Sequence, residues 1–394
     1  MDKYVCSECV NDPVLAEIVE RSLADLKMSF DEEDDHVLCS YCGVEDGCPL
    51  ADVAEYVKEI VERDYSTDKD EHIPYDQEVG CYWGDPELSI SDILNNFDFK
   101  PSDEQITFDI EEYLGHDTYV DIDRMCGSES WRSKTSWDAF VRHVKHRRRF
   151  TFWSQEEDVH MNNPTHRELL GYVVEVMANS NLIRELDAGS RFWRVRIHED
   201  TTADTPSIPS GYASVPDEKA VRANRMSPPG ISMFYGAATF ETACVETVDI
   251  NDPKLHQKVV SGIQFGTVNK LRVLDFTAMA HPRSEFEPWR RDKLERYRFL
   301  KSLLKDFRKR VPKDEKHHVE YIPTQVFTEY IRYEYRNGGS GVDGIIYPSS
   351  VNDQKCIVLF ATHDQCGTGG HNQLLEGIDG SFKMAPATDV TQMM

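Results

Sequence analysis

Hydrophobic positions follow two different periods along this chain, and the change falls near residue 190. Val14, Leu15, Ile18, Val19 and Leu23 recur at three- and four-residue intervals, as one face of a helix does. Asn11 or Asp12 can cap that helix, and Pro13 suits its first turn. Val53, Tyr56, Val57, Ile60 and Val61 repeat the period over Ala51 to Val61. Residues 66–130 are interrupted by Pro, Gly and Asn, with Ile90 to Leu94 as a short helical turn. Trp137 to Val144 and Arg167 to Leu182 then read as amphipathic helices, so the N-terminal half is mainly helical.

From Arg191 the pattern alternates instead. Phe192 to Ile197, Ile231 to Ala237, Val259 to Phe265 and Leu271 to Phe276 are strand candidates, and Gly341 to Pro348 and Lys355 to Ala361 are short apolar strands. A polar stretch rich in Thr, Ser and Pro separates the first two. Thr239 can cap a helix through Phe240, Ala243 and Val248, a long charged helix lies within Arg283 to Val311, and Pro323 opens another. Residues 367–394, rich in Gly and Met, read as a poorly packed tail.

With 394 residues and 40% apolar side chains, the chain has material for two or three cored domains at roughly 150 residues each. No apolar run is long enough to cross a bilayer, and MDKYVCSECV has no basic segment followed by an apolar one. The expectation is a soluble, cytoplasmic protein, away from the membrane, whose ten cysteines are thiols or metal ligands. Charge divides the chain further. Residues 1–130 carry 8 Lys and Arg against 36 Asp and Glu, a net of −28, whereas the whole chain carries −26. Such a field repels phosphate backbones and disfavours nucleic acid as a partner. The local exception is Trp131 to Phe150, where Arg132, Lys134, Arg142, Lys145 and Arg147 to Arg149 face a single acid, Asp138. This run suits either an RNA-facing patch or a basic helix face docking on acidic surface.

Cys6-x2-Cys9 and Cys39-x2-Cys42 are two CxxC pairs with 29 residues between them. Each tight turn offers two thiolates, and two turns complete a tetrahedral Zn2+ site with no position left for substrate, hence a structural one. His36 and Cys48 are possible substitutes, and four unrelated buried thiols are the plainer alternative.

Four strings in the second half carry chemistry: FWRVR, NRMSPPGISMFYG, ETACVE and GIIYPSS. They supply Arg194 and Arg225, suited to bidentate capture of a pyrophosphate. Tyr235 can present its ring to a flat heterocycle. Glu246 can stabilise an oxocarbenium ion or hold a ribose hydroxyl, and Ser349 follows a turn that aims its hydroxyl into a cleft. Singly, each is also an ordinary strand, core, helix or turn residue.

Taken in order, these five residues resemble the RES domain family over about Arg191 to Cys366, and Pro323-Thr324-Gln325 followed by Glu329 resembles the family's helix start. A long polar insertion between Arg194 and Arg225 and the charged helix are departures from that pattern. The zinc-bearing helical half is similar to the HEPN-type regions found ahead of RES domains. The Arg-to-His interval of catalytic HEPN ribonucleases is not met, since Arg142 is too close to His146 and Arg132 too far from His143.

The resemblance implies an α+β protein: a mainly α-helical zinc-binding N-terminal half followed by an ADP-ribosyltransferase-like mixed β-sheet RES domain. The boundaries expected are 1–65 for a zinc-binding helical segment, 66–185 for an acidic HEPN-like region, 186–366 for the RES domain and 367–394 for a flexible tail. The implied activity is cleavage of the nicotinamide–ribose bond of NAD+ by hydrolysis or phosphorolysis, as in a bacterial toxin or defence effector. Arg194 and Arg225 would grip the diphosphate, Tyr235 stack on a ring, Glu246 stabilise the ribosyl cation and Ser349 bond the nicotinamide side. A protein ADP-ribosyltransferase, and an RNA-binding or ribonuclease module in the N-terminal half, are the alternatives. Besides NAD+, an antitoxin or regulatory protein is the implied partner, and self-association stays open.

Overall fold

The computed structural model describes residues 3–29, 37–67, 75–76, 81–82, 87–121, 129–151, 165–199, 208–309, 317–336, 340–367 and 372–393. His36, a possible zinc ligand, and part of the polar stretch after Glu199 lie outside the described residues. The chain divides into two compact units: Met1–Arg132 with Ala280–Arg298, and Ser133–Met279 with Phe299–Met394.

The first unit opens with β1 (Tyr4–Val5) and α1 (Ser7–Val10), followed by α2 (Pro13–Ser29), β2 (Cys48–Pro49) and α3 (Leu50–Asp64). Asp12 caps α2, its carboxylate accepting from the Val14 and Leu15 N–H groups. Short strands β3 (Tyr65–Ser66), β4 (Tyr75–Asp76) and β5 (Cys81–Tyr82) precede α4 (Ile90–Asn96) and α5 (Gln105–Leu114), and β6 (Val120–Asp121) pairs with β3. Ser89 and Asp92 form a reciprocal capping box on α4. The stretch expected to be mostly irregular therefore contains two helices, because Ile90, Ile93, Ile106 and Ile110 are fully buried at helical spacing. Their core includes Val53, Val57 and Phe286, the last brought from far along the sequence. Among the described residues of this unit, two acids, Asp64 and Asp109, are buried. Asp64 pairs with Arg63 at 2.9 Å and Arg298 at 3.1 Å. Asp109 accepts from the Tyr41 hydroxyl at 2.7 Å and from Lys3 at 2.5 Å.

The second unit takes in most of α6 (Glu129–His146), then α7 (His166–Asn179), β7 (Ile183–Leu186), β8 (Arg191–Glu199), β9 (Phe234–Ala237), α8 (Phe240–Thr247), β10 (Lys258–Thr267) and β11 (Leu271–Asp275). Helix α9 (Arg291–Arg308), which belongs to this unit from Phe299 on, is followed by α10 (His317–Glu320) and α11 (Ile322–Tyr333), then β12 (Gly344–Pro348), β13 (Lys355–Leu359), β14 (Leu375–Gly377) and β15 (Lys383–Pro386). One sheet runs β14-β10-β8-β9-β13-β12-β11-β7, with β15 added to β10. Among the described strands, β11 and β12 pair in parallel and the other strand pairs are antiparallel, so the sheet is mixed and the protein is α+β. Phe234 and Phe265 pack fully buried within it, each contributing roughly 2–3 kcal/mol of burial.

Residues 372–393 differ from the expected tail. Leu375, Ala387 and Val390 are fully buried, and β14 and β15 both pair with β10, which draws this segment into the sheet. Gly and Met content suggested loose packing, but three well-spaced apolar residues were enough to fix the segment. Among the described residues, no helix is long and apolar enough to cross a membrane.

Candidate functional site

Two groups of chemistry-bearing side chains stand out, one in each unit. In the first, Cys6 and Cys9 flank the start and body of the one-turn α1, where the Cys9 and Val10 N–H groups both return to the Cys6 carbonyl. Cys39 and Cys42 sit on a second tight turn, closed by the Gly43 N–H on the Cys39 carbonyl at 2.9 Å. Gly43 has φ +75°, a left-handed conformation that a side chain would strain. The Ser40 N–H donates to the Tyr4 carbonyl at 2.8 Å and the Tyr4 N–H to the Ser40 hydroxyl oxygen at 2.9 Å, which brings the two turns together.

All four sulfurs lie within 4.8 Å of one another. Cys6 and Cys42 are 3.6 Å apart and Cys9 and Cys39 3.8 Å apart. A tetrahedron of thiolates about 2.3 Å from a central ion has edges of about 3.8 Å, so these four can hold a metal ion. Burial pushes the Cys6 and Cys9 thiols up, and Cys39 goes the other way. Desolvation pushes the Cys39 thiol up, but the N–H groups of Tyr41, Cys42 and Cys6 outweigh it and bring it down to about 7. Cys48, the possible substitute, is not in the cluster: its thiol points to the Pro49 carbonyl at 3.5 Å.

The second group sits where the sheet opens. β8 pairs with β10 over nine residues, but with β9 only through Trp193 and Ala237. At that splay is a cleft of about 920 Å3, within the size range of small-molecule sites. Arg194, Arg225, Tyr235 and Glu246 all line it. The Arg194 guanidinium bridges the splay, donating from Nη1 to the Tyr235 carbonyl at 2.7 Å. It lies 5.7 Å from the centroid of the Phe234 ring and 6.0 Å from that of Tyr235. Its Nε is buried with no hydrogen-bond partner among the described residues. Desolvation, then the neighbouring Arg196, lower Arg194 to about 10, so it stays charged at neutral pH. A half-buried cation with a buried, unused donor suits an incoming anion.

Arg225 is held by its backbone. The Ala220–Gly230 loop closes through the Gly230 N–H on the Ala220 carbonyl at 2.7 Å. Two nearly buried side chains at the start of α11 clamp it: Thr324 donates to the Arg225 carbonyl at 2.6 Å, and Gln325 to the Asn224 carbonyl at 2.8 Å. The Arg225 side chain spends one N–H on the Lys309 carbonyl, leaving the rest of its fork. The half-buried Tyr235 shares a hydrogen bond of 2.9 Å with Ser227, and burial pushes its hydroxyl up to about 12, so it stays a neutral phenol.

Glu246 comes from the last turn of α8, whose start is capped by Thr239 accepting from the Thr242 N–H. Its side chain is exposed to the cleft. Ser349 is fully buried and does not line the cleft. It donates its hydroxyl to the Glu246 carboxylate at 2.5 Å and accepts from the Val351 N–H at 3.0 Å. A second bond, from Asn352 to Thr242 at 3.2 Å, fastens the same turn to α8. Of the two serines in this turn, it is the neighbour, Ser350, that lines the cleft.

Sequence reasoning had no role for several residues the cleft recruits. Lys219 and Arg222 bring two further cations, and Tyr321 and Tyr347 two further phenols. Tyr347 stands in the GIIYPSS string already singled out, whereas Arg222, three residues before Arg225, had no signal of its own. The basic run ends elsewhere. Lys145 pairs with Glu320 at 2.9 Å, and His143 packs on the His166 ring at 4.5 Å.

Residues 191–375 match the RES domain, and residues 32–158 match HEPN/RES N-terminal domain 1. The first match contains every residue of the cleft named above, and the second contains Cys39 and Cys42 but begins after Cys6 and Cys9. No curated protein and no solved structure matches the chain.

Proposed function

We propose that this chain, which belongs to the RES domain family, is an enzyme that cleaves the nicotinamide–ribose bond of NAD+. Family membership carries NAD+-related activity of the toxin type in general. The single observation behind it is that Arg194, Arg225, Tyr235 and Glu246, spread over some fifty residues, meet at one cleft, with Glu246 tied to a fifth residue, Ser349.

Nicotinamide leaves NAD+ as a neutral base, taking the pair of electrons of the broken C–N bond, so no acid is needed to expel it. Positive charge gathers on the ribose carbon instead. In this reading Glu246 faces that carbon and stabilises the charge only as it develops, which lowers the barrier rather than merely tightening binding. Arg194 and Arg225 bind the diphosphate, and Tyr235 packs its ring against a heterocycle. Ser349 is a positioning residue that fixes the carboxylate. In hydrolysis, water then adds its oxygen to the ribose carbon and loses a proton to solvent; in phosphorolysis, phosphate oxygen takes that place.

The four-cysteine cluster is read as a structural Zn2+ site, since four thiolates leave no coordination position for a substrate. A cytoplasmic toxin or defence role, with an antitoxin or regulatory partner, extends the family reading.

Incubation of the full chain with NAD+, with and without phosphate and with products weighed by mass spectrometry, tests the proposal. Free nicotinamide with ADP-ribose, or with its 1″-phosphate when phosphate is present, supports it. Label from the adenosine half retained on protein supports the same cleft working as an ADP-ribosyltransferase. Intact NAD+ after prolonged incubation at high enzyme concentration would overturn it.

A further inference from the structure

The cleft is more cationic than NAD+ requires. Arg194, Lys219, Arg222 and Arg225 line it against one carboxylate, Glu246, a net of +3. The NAD+ reading employs only Arg194 and Arg225. Lys219 and Arg222 are exposed, and neither has an ion pair among the described residues. Asp217 and Glu218, the acids beside Lys219, are exposed but do not line the cleft. NAD+ carries about two negative charges on its diphosphate and about one positive charge on nicotinamide, whereas a phosphate monoester adds about −1.5 to −2 more. A ligand near −3 would match the lining; one near −1 would not.

The loop geometry says where the extra charge would sit. Arg222 and Arg225 are three residues apart on the loop closed between Ala220 and Gly230. With nicotinamide at Glu246, the adenosine ribose lies one phosphoester link beyond a diphosphate gripped by Arg225, and Lys219 and Arg222 are the remaining cations of the cleft lining that can meet it. The 2′-hydroxyl of that ribose is where the phosphorylated dinucleotide differs, and an arginine is a common receiver of that group.

We propose that the cleft takes the 2′-phosphorylated dinucleotide, NADP+, in preference to NAD+, with Lys219 and Arg222 receiving the 2′-phosphate. This rests on the reading of the cleft as a dinucleotide site. The bond cleaved is the same one, and the products of hydrolysis are nicotinamide and 2′-phospho-ADP-ribose.

The test compares kcat/KM of the full chain for NAD+ and NADP+, in the wild type and in Lys219→Ala/Arg222→Ala. Charge-assisted bonds to a phosphate predict an NADP+ advantage of about tenfold or more, collapsing to about one in the double variant. Competition by 2′-phospho-ADP-ribose against ADP-ribose gives the same ratio without turnover, and it decides the matter should the double variant melt at a lower temperature. Equal use of the two dinucleotides, or a preference for NAD+, overturns this proposal and leaves the NAD+ reading standing. A double variant that melts like the wild type yet keeps the NADP+ advantage also overturns it. Consumption of neither overturns both.

Discussion

The four-cysteine cluster and the cleft solve opposite problems. In the cluster, two short turns put four sulfurs within 4.8 Å and leave no room for anything beyond an ion. Three of the four are buried, and the site is closed on itself. The cleft assembles distant residues at a break in strand pairing and leaves polar capacity unused, most plainly the Arg194 Nε. A site complete without a substrate belongs to stability; a site holding donors in reserve belongs to binding. The difference also separates what each unit should lose when its key residues are changed.

The largest effect is expected in the first unit. Replacing Cys9 and Cys39 by Ser removes two of the four proposed zinc ligands, and a structural zinc contributes on the order of 10 kcal/mol to folding. The wild-type chain should carry one zinc per molecule. Hydrogen-exchange protection over residues 37–67 should be lost in the double variant, and full protection without metal would break the contrast drawn here. Next comes Glu246→Gln, which exchanges only an exposed side chain. It should lower nicotinamide release about a hundred- to thousandfold, or about 3–4 kcal/mol, while the melting temperature barely moves. A variant that kept full turnover would take the carboxylate out of the reaction.

How far each site could be read from the sequence follows from how far apart its parts lie. Two CxxC pairs announce themselves through spacing, and the clustering of Cys6, Cys9, Cys39 and Cys42 follows from local turns. Helices α2 and α3 were visible in the same way, through apolar periodicity, with the start of α2 set by Asp12 and Pro13. Arg194, Arg225, Tyr235 and Glu246 share a cleft only because β8 and β9 separate after one residue pair, and no local pattern encodes that break. There the family resemblance carried the argument. Ser349 shows what neither source supplied: expected at the substrate, it lies fully buried behind Glu246. Strands β14 and β15 escaped notice because each is only three or four residues long and is fixed by its partner β10 rather than by its own periodicity.

Two smaller effects sharpen the view of the cleft as a supported site. Ser349→Ala frees Glu246 from its hydrogen bond, which should cost about 1–1.5 kcal/mol and lower kcat roughly tenfold with KM little changed. A matching rise in KM would mean that the hydroxyl touches the substrate. Gln325→Ala loosens the Asn224 carbonyl and, through it, the loop that carries Arg225. Here the expected loss of about 1 kcal/mol should appear as a severalfold rise in KM at nearly constant kcat. Steady-state kinetics on both variants separates the two behaviours.

Calorimetric titration of dinucleotide into Glu246→Gln tests the cleft most directly, because that variant binds substrate without consuming it. One molecule should bind per chain, and adding Arg225→Ala should weaken binding by about tenfold or more through lost contacts to the diphosphate. Binding that is absent, or that is indifferent to Arg225, would contradict the account.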